Sequence, residues 1–321
     1  MVGRKIRSRL AMRPSPVPSS PMQPFNRRRF ISTGALAATA GVCQVNADHH
    51  GDKKKHPILL SLKCGMCGEG KTLEEKFQIL KSLGYDGVEL DSPGGQNKDE
   101  AKRASEKVGL PTHGVVDSIH WGTTLSDSSA EIREKGLQGL LTAIRESDAV
   151  GGTSVLLVPA VVNAKVSAQQ AWDRSIQQIR KALPLAAQLG VHILIENVWN
   201  RFLYDHDGPD NQTAEKLVKY IDEIDSPWVG SYFDIGNHQK YGKPAAWIRS
   251  LGHRIVKLDV KDWGVESGFS KIGAGDVDWA DVRKALKEIR FTGWATAEVG
   301  GGNRARCAEV LANMRTHLLG S

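Results

Sequence analysis

Acidic residues are missing from the first 47 positions of this 321-residue chain, which hold eight of its 43 Lys and Arg. The formal charge of the whole is +7, yet beyond position 47 there are 35 basic residues against 36 acidic ones, a net of −1. A polyanion binder needs a cationic surplus to displace counterions from phosphates, so no nucleic-acid partner is expected. Long apolar runs are also missing, which excludes a multispanning membrane protein. The 33 glycines follow no fixed period, which excludes a collagen-like repeat. Cysteine is scarce, at four, and the close pair Cys64 and Cys67 has no second pair or suitably spaced histidine to make a zinc site. In an oxidising compartment that pair could close into a disulfide. It follows a strand pattern and precedes a Gly-rich loop, where a redox motif would open a helix, so a structural role or none is expected. What remains, 40% hydrophobic and 25% charged, suits a globular protein with a sizeable core.

The opening reads as an address. A Pro/Ser-rich stretch from Pro14 to Pro24 precedes Asn26-Arg27-Arg28-Arg29-Phe30-Ile31, and a small, weakly apolar run follows from Ser32 to Val42. Val45-Asn46-Ala47 supplies a small-residue cleavage site. Arg27-Arg28 with Phe30-Ile31 resembles the twin-arginine motif of bacterial export signals, which move proteins already folded. Residues 1–47 are therefore expected to be a twin-arginine-type export signal, residues 48–56 a hydrophilic linker, and 57–321 an exported, periplasmic domain. A disordered basic tail is the alternative. The run 32–42 is too short for a stable membrane span.

From Pro57 onward strand and helix patterns alternate. Apolar runs at Ile58–Leu62, Gly87–Leu90, Thr112–Val116, Ser154–Val158, Val191–Ile195, Val229–Phe233, Ile255–Val260 and Gly293–Val299 predict strands. Helical spacing recurs in Thr72–Leu83, Asp99–Val108, Ser129–Val150, Ser167–Leu189, Thr213–Ile224, Pro244–Leu251, Trp279–Ile289 and Arg304–Leu319. Alternation of this kind implies a parallel sheet. Eight units in a chain of this length fit a single-domain α/β fold, the (β/α)8 TIM barrel. An open doubly wound sheet is disfavoured, because no Gly-rich dinucleotide fingerprint follows the first strand.

Barrel strands alternate side chains between the helix layer and the interior, and functional groups gather at their C-terminal ends. In the seventh strand Val256, Leu258 and Val260 form the helix-facing set, so Lys257, Asp259 and Lys261 point inward. The same parity puts Glu196, Asp234 and Glu298 at the mouth from strands five, six and eight, and Glu89 inward from strand two. Four carboxylates sharing a small cavity repel one another unless something offsets their charge. A divalent cation held by Glu196, Asp234, Asp259 and Glu298 does so, and all-oxygen ligation favours Mn2+ or Mg2+ over Zn2+. Interior ion pairs with Lys257 or Lys261 are the alternative.

These residues sit in longer matches. Glu196-Asn197-Val198-Trp199-Asn200, Tyr232-Phe233-Asp234-Ile235-Gly236-Asn237, Val256-Lys257-Leu258-Asp259-Val260-Lys261-Asp262, Gly273-Ala274-Gly275-Asp276-Val277-Asp278-Trp279 and Gly293-Trp294-Ala295-Thr296-Ala297-Glu298 resemble the xylose-isomerase-like sugar phosphate isomerase/epimerase superfamily. The likeness runs from about Pro57 to Leu319 and includes Asp86-Gly87-Val88-Glu89-Leu90. It implies a metal held after strands five, six and eight, with a fourth ligand on strand seven. There the family usually carries His and this chain carries Asp259. That exchange makes a harder, more negative site, or one with weakened metal binding. Many members also carry His shortly after the sixth-strand acid, where this chain has Asn237 followed by His238.

The function this implies is a metal-dependent sugar isomerase or epimerase working through an enediolate. Glu196 and Glu298 would move the proton on opposite faces of the substrate. Glu89, His113, His120, Trp199 and Lys261 are the substrate-binding candidates, each with a packing or ion-pair role as its alternative. The partner is a small-molecule sugar or keto-sugar, free rather than phosphorylated if the chain is exported, and a homo-oligomer is compatible with the sequence. Three other readings stay open: a lyase or dehydratase for keto-sugars or keto-inositols, a non-catalytic carbohydrate-binding barrel, and an abasic-site endonuclease. The last is disfavoured by the missing histidines and basic face.

Overall fold

A computed structural model describes residues Ile58–Ser321. The export-signal and linker readings of 1–47 and 48–56 lie outside the described residues. Eight strands carry the site: β1 (Ile58–Lys63), β2 (Gly87–Ser92), β3 (Thr112–Asp117), β4 (Ser154–Leu157), β5 (His192–Glu196), β6 (Val229–Asp234), β7 (Ile255–Val260) and β8 (Gly293–Ala297). They close into one parallel barrel, each strand paired with its sequence neighbours and β8 returning to β1 with Ile58 opposite Gly293 and Leu62 opposite Ala297. This is the fold expected from the alternating pattern.

The helices between them are α1 (Leu73–Leu83), α2 (Lys98–Val108), α3 (Ala130–Ala149), α4 (Ala168–Leu189), α5 (Glu215–Ile224), α6 (Pro244–Leu251), α7 (Trp279–Glu288) and α8 (Arg304–Asn313). Their ends are written locally. Thr72 and Ser167 close capping boxes with Glu75 and Gln170, satisfying backbone N–H groups that a helix start leaves open. Gly84 ends α1 at φ 97°, a left-handed conformation that costs a side chain with a Cβ about 1 kcal/mol or more. Among the described residues no helix is long and apolar enough to cross a membrane.

Most of the core lies between barrel and helices, where Leu258 and Val260 sit as expected. Inside the barrel a smaller apolar cluster of Leu156, Leu194 and Tyr232 is packed by Val116 and Val256. Val256 therefore corrects its expected helix-facing place. On β7 one extra residue opposes β6: Ser231 pairs with Ile255, but Tyr232 pairs with Lys257. Such a bulge breaks the period of two locally, so Val256 reaches the interior cluster while Lys257, Asp259 and Lys261 keep their inward parity.

Two features carry no clear strand–helix signature. A short helix, Ile235–Gln239, follows β6, and an antiparallel hairpin of Asp262–Gly264 with Gly268–Ser270 follows β7. The Cys64–Cys67 pair is a single 3-10 turn, and Cys64, Cys67 and Cys307 are all free and buried. The Cys67 thiol donates to Glu69 C=O at 3.3 Å and the Cys307 thiol to Gly302 C=O at 3.8 Å.

Candidate active site

The C-terminal ends of four strands meet over one point. Glu196 ends β5, Asp234 ends β6, Asp259 is the penultimate residue of β7, and Glu298 directly follows β8. One carboxylate oxygen from each lies within 4.8 Å of all the others. Asp234 is fixed further by accepting from Asn237 N–H at 2.7 Å, so one oxygen caps the short helix and the other faces the cluster.

Two lysines thread these acids. Lys63 Nζ, from the last residue of β1, lies 3.1 Å from Asp259 Oδ2 and 3.0 Å from Glu298 Oε1. Lys261 Nζ lies 2.8 Å from Asp234 Oδ2 and 2.5 Å from Glu298 Oε2. Burial alone would raise Glu298, but these two ammonium groups override it and hold its carboxyl down at about 2. Glu196 has no lysine so close. Burial, then Glu298 and Asp259, push it well above the ordinary carboxylate range. Burial likewise raises Asp259, and raises Asp234 to about 6 against the pull of Lys261.

This donor set fits a hard divalent cation. Asp259 Oδ1 is buried with no hydrogen-bond partner, an arrangement that costs about 1–3 kcal/mol or more unless another ligand is supplied. Four carboxylates less two ammonium groups leave two net negative charges for a dication if all are ionised. Glu196, Asp234, Asp259 and Glu298 would hold it; no histidine belongs to the cluster.

A cavity of about 270 Å3 opens above the acids, lined by Lys63, Glu196, Lys261 and Glu298 at its floor and by His120, Trp121, Trp199 and Phe269 at its walls. His120 Nδ1 accepts from the Val158 N–H at 3.1 Å, which leaves Nε2 as the N–H donor. Burial pushes the ring's pKa down to about 3, so it is neutral. Trp199 donates its indole N–H to Asn237 C=O at 2.7 Å and stacks on Phe269 at 4.8 Å.

The structure thus brings Glu196, Asp234, Asp259, Glu298, Lys261, His120 and Trp199 together. It sets two candidates elsewhere. Glu89 is fully buried one layer below, accepting from Tyr232 Oη at 3.0 Å, because β2 runs on past it to Ser92. His113, second residue of β3, is sandwiched between Ser61 Oγ (2.8 Å) and Lys257 Nζ (2.7 Å) and stacks on Trp294 at 4.5 Å. Neither lines the cavity. Together with Thr296 they form a continuous buried network from Glu89 through Tyr232, Thr296, Ser61 and His113 to Lys257. Lys257, whose pKa burial lowers to about 7, belongs to this layer rather than to the acids above. His238 is not part of the acid cluster; its Nδ1 lies 3.3 Å from Tyr204 Oη and its ring 3.9 Å from that of Trp247.

Lys63 is the site residue the sequence reading omits, although Ser61 and Lys63 share the inward parity of β1. Phe269 is the other, and its place depends on the hairpin.

Residues 77–317 match the xylose isomerase-like TIM barrel family. The chain belongs to that family. Its relatives include L-ribulose-5-phosphate 3-epimerase UlaE of Escherichia coli, 23% identical over 242 residues, covering 70% of this chain and 81% of that protein. A protein of unknown function from Methanocaldococcus jannaschii, MJ1311, is 29% identical over 130 residues, 39% of this chain and 43% of its own. Among solved structures of this fold, D-allulose 3-epimerase from Methylomonas sp. in complex with D-allulose superposes with a TM-score of 0.66 at 17% identity, over 81% of this chain and 97% of that one. The 3-keto-D-glucoside 4-epimerase YcjR of E. coli gives 0.66 at 20%, over 82% and 100%. The IOLI protein with a bound zinc atom gives 0.67 at 14%, over 81% and 98%.

Proposed function

We propose that this member of the xylose isomerase-like family is a metal-dependent sugar isomerase or epimerase acting on a ketose or keto-sugar through an enediolate. The observation that carries it is the convergence of Glu196, Asp234, Asp259 and Glu298 within 4.8 Å, beneath a cavity walled by aromatic rings. The epimerase activities of the related proteins support the same reading.

A C–H next to a carbonyl is weakly acidic because the carbanion's charge must spread onto oxygen. A divalent cation, when bound, supplies that stabilisation as a Lewis acid. The donor set supports Mn2+ or Mg2+ over Zn2+. Glu196 and Glu298 stand on strands on different sides of the mouth. One carboxylate takes the proton while the C–H electron pair moves into the C–C–O system, and the other, protonated, returns a proton to the opposite face. Lys63 and Lys261 keep Glu298 oriented, and His120 Nε2–H and Lys261 Nζ hold substrate hydroxyls. Trp121, Trp199 and Phe269 cover the ring and exclude water.

A specific observation favours a second reading. Lys63 and Lys261 already bridge three of the acids, which would suit a carbohydrate-binding barrel without catalysis. Metal analysis of purified protein, with solvent deuterium incorporation into a panel of ketoses, separates the two. Stoichiometric metal and exchange into at least one ketose is expected; bound sugar with neither metal nor exchange would establish the binding role. Exchange absent with metal present would favour a lyase on the same scaffold.

Export through the Arg27-Arg28 signal is part of the proposal, supported by the acid-free, small-residue character of 1–47. Cell fractionation of the full chain is expected to find the protein outside the cytoplasm, and an Arg27→Lys, Arg28→Lys variant retained inside.

A further inference from the structure

We infer that Phe269 is a positioning residue: its ring, stacked on Trp199, holds the Lys261 ammonium between Asp234 and Glu298, and Lys261 so held competes with a divalent cation for those two carboxylates. This rests on the metal-dependent reading of the same site and names what sets its metal affinity.

Four side chains follow one another out of the cluster: cation, ring, ring and cation. Lys261 Nζ lies 5.3 Å from the centre of the Phe269 ring. Phe269 stacks on Trp199 at 4.8 Å with an angle of 21°, and Lys240 Nζ lies 4.5 Å from the centre of the Trp199 ring. The negative π cloud of an aromatic ring attracts an ammonium group and restrains it, yet leaves its N–H donors to other partners. The column is tied to the acids a second time. Trp199 donates to Asn237 C=O at 2.7 Å, Asn237 N–H donates to Asp234 Oδ1 at 2.7 Å, and Asp234 Oδ2 is 2.8 Å from Lys261 Nζ. The circuit from Asp234 through Asn237, Trp199, Phe269 and Lys261 closes on itself. Phe269 is its one exposed member, at 52%, so its ring can be changed without opening the core.

Lys261 occupies the ligands themselves. Asp234 gives one oxygen to Asn237 and the other to Lys261. Glu298 gives Oε1 to Lys63 at 3.0 Å and Oε2 to Lys261 at 2.5 Å. Both oxygens of both carboxylates are therefore engaged, and Lys261 is the partner the two acids share. Asp234 and Glu298 can serve a dication only by sharing these oxygens with Lys261 or by releasing it. An ammonium beside the ligands also repels a second cation, more strongly in a buried site than in water. Asp259 Oδ1, by contrast, is buried with no hydrogen-bond partner to give up.

Lys63 is the internal comparison. It bridges Asp259 and Glu298 in the same way, but among the described residues it lies over no aromatic ring. Phe269 thus bears on one of the two lysines. A lysine stem is long and flexible, so Lys261 without the ring spends more of its time away from Asp234 and Glu298, and both carboxylates become easier for a dication to take.

The full chain, dialysed against EDTA and then buffer, is titrated with Mn2+, and the free ion is followed by electron paramagnetic resonance, a readout that needs no substrate. Phe269→Ala is expected to bind Mn2+ about two- to fivefold more tightly than the wild type, the worth of one exposed cation–π contact. Phe269→Tyr, which keeps the π face, is expected to return the wild-type Kd. Lys261→Met is expected to tighten binding by about tenfold or more, and adding Phe269→Ala to it to change nothing further. In a Lys63→Met background Phe269→Ala should keep its full effect. The same Kd in wild type, Phe269→Ala and Lys261→Met, weaker binding in either, or a Phe269→Ala effect that persists without Lys261 would overturn the inference while leaving the metal-dependent reading intact. Mn2+ bound by none of the proteins would remove that reading itself. Should Lys261→Met fail to fold, Phe269→Ala and Phe269→Tyr alter an exposed ring and decide alone: tighter binding reversed by tyrosine upholds the inference, and an unmoved Kd overturns it.

Discussion

At the scale of single residues, the two glutamates of the cluster sit in opposite electrostatic settings. Glu298 is gripped by two ammonium groups, while Glu196 faces other acids. Replacing either by Gln keeps the shape and removes the proton-accepting charge. Glu196→Gln and Glu298→Gln are each expected to lower substrate deuterium exchange by about 10²–10⁴-fold, the usual worth of a positioned acid or base. The two should differ in stability. Glu298→Gln leaves Lys63 and Lys261 short of a counter-ion, so it alone is expected to lower the urea midpoint. Equal midpoints would show that the ion pairs contribute nothing.

Asp117, the last residue of β3, gives a pH signature away from the cluster. Burial pushes its carboxyl up to about 7, and its resolved compensation is the Ile119 N–H at 3.2 Å. An unfolded Asp titrates near 3.9. Between about pH 4 and 7 the folded protein therefore keeps a proton that the unfolded chain has shed. The resulting stability is fully present below pH 4 and disappears as pH rises through 7, a change of up to about 4 kcal/mol. Asp117→Asn stays neutral throughout. Urea unfolding of both proteins at pH 5 and 8 is expected to show the wild type losing more stability than the variant; parallel losses would mean that Asp117 is ionised in the fold.

At the scale of elements, the hairpin after β7 depends on one side chain. Asp262 is wholly buried and accepts from Trp263 N–H, Gly273 N–H, Val277 N–H and Trp279 Nε1–H. Four donors lose their acceptor in Asp262→Ala, and at about 1–3 kcal/mol for each buried polar group left unpaired, partly relieved by water, a loss of about 3–5 kcal/mol is expected. The hairpin bearing Phe269 should loosen with it, so limited proteolysis between Gly264 and Gly268 should accelerate. An unchanged cleavage rate would place the hairpin's anchor elsewhere.

The same elements show what was readable in the chain. Strand and helix periods predict all eight units, because each strand must bury one face against helices and each helix one stripe against the barrel. The parity rule then leads to Glu196, Asp234, Asp259 and Glu298, and Lys63 obeys it equally. Val256 was not readable, since a bulge is a choice of pairing between β6 and β7 and leaves no local mark. Nor was Phe269, placed by the tertiary contacts of Asp262. The depth of Glu89 and His113 depended on where β2 and β3 end, and strand ends are poorly defined by periodicity.

At the scale of the whole molecule, the barrel holds a cluster of like charges at the rim of its own core, and folding must bring those charges together. Lys63 and Lys261 offset part of that repulsion from within the chain; a bound dication would offset more. Anything that binds the folded state alone stabilises it by RT ln(1 + [L]/Kd), about 2.7 kcal/mol at a hundredfold excess over Kd. Mn2+ is therefore expected to raise the unfolding temperature. Lys63→Met is the discriminating variant. Breaking a buried ion pair from one side costs about 3–5 kcal/mol, so without added metal the variant is expected to unfold at lower temperature than the wild type. With Asp259 and Glu298 short of a cation, Mn2+ should restore more stability in the variant than it adds to the wild type. Calorimetric unfolding of both proteins with and without 1 mM Mn2+ measures this difference. A variant that gains no more than the wild type would show that Lys63 and the metal do not answer the same charge.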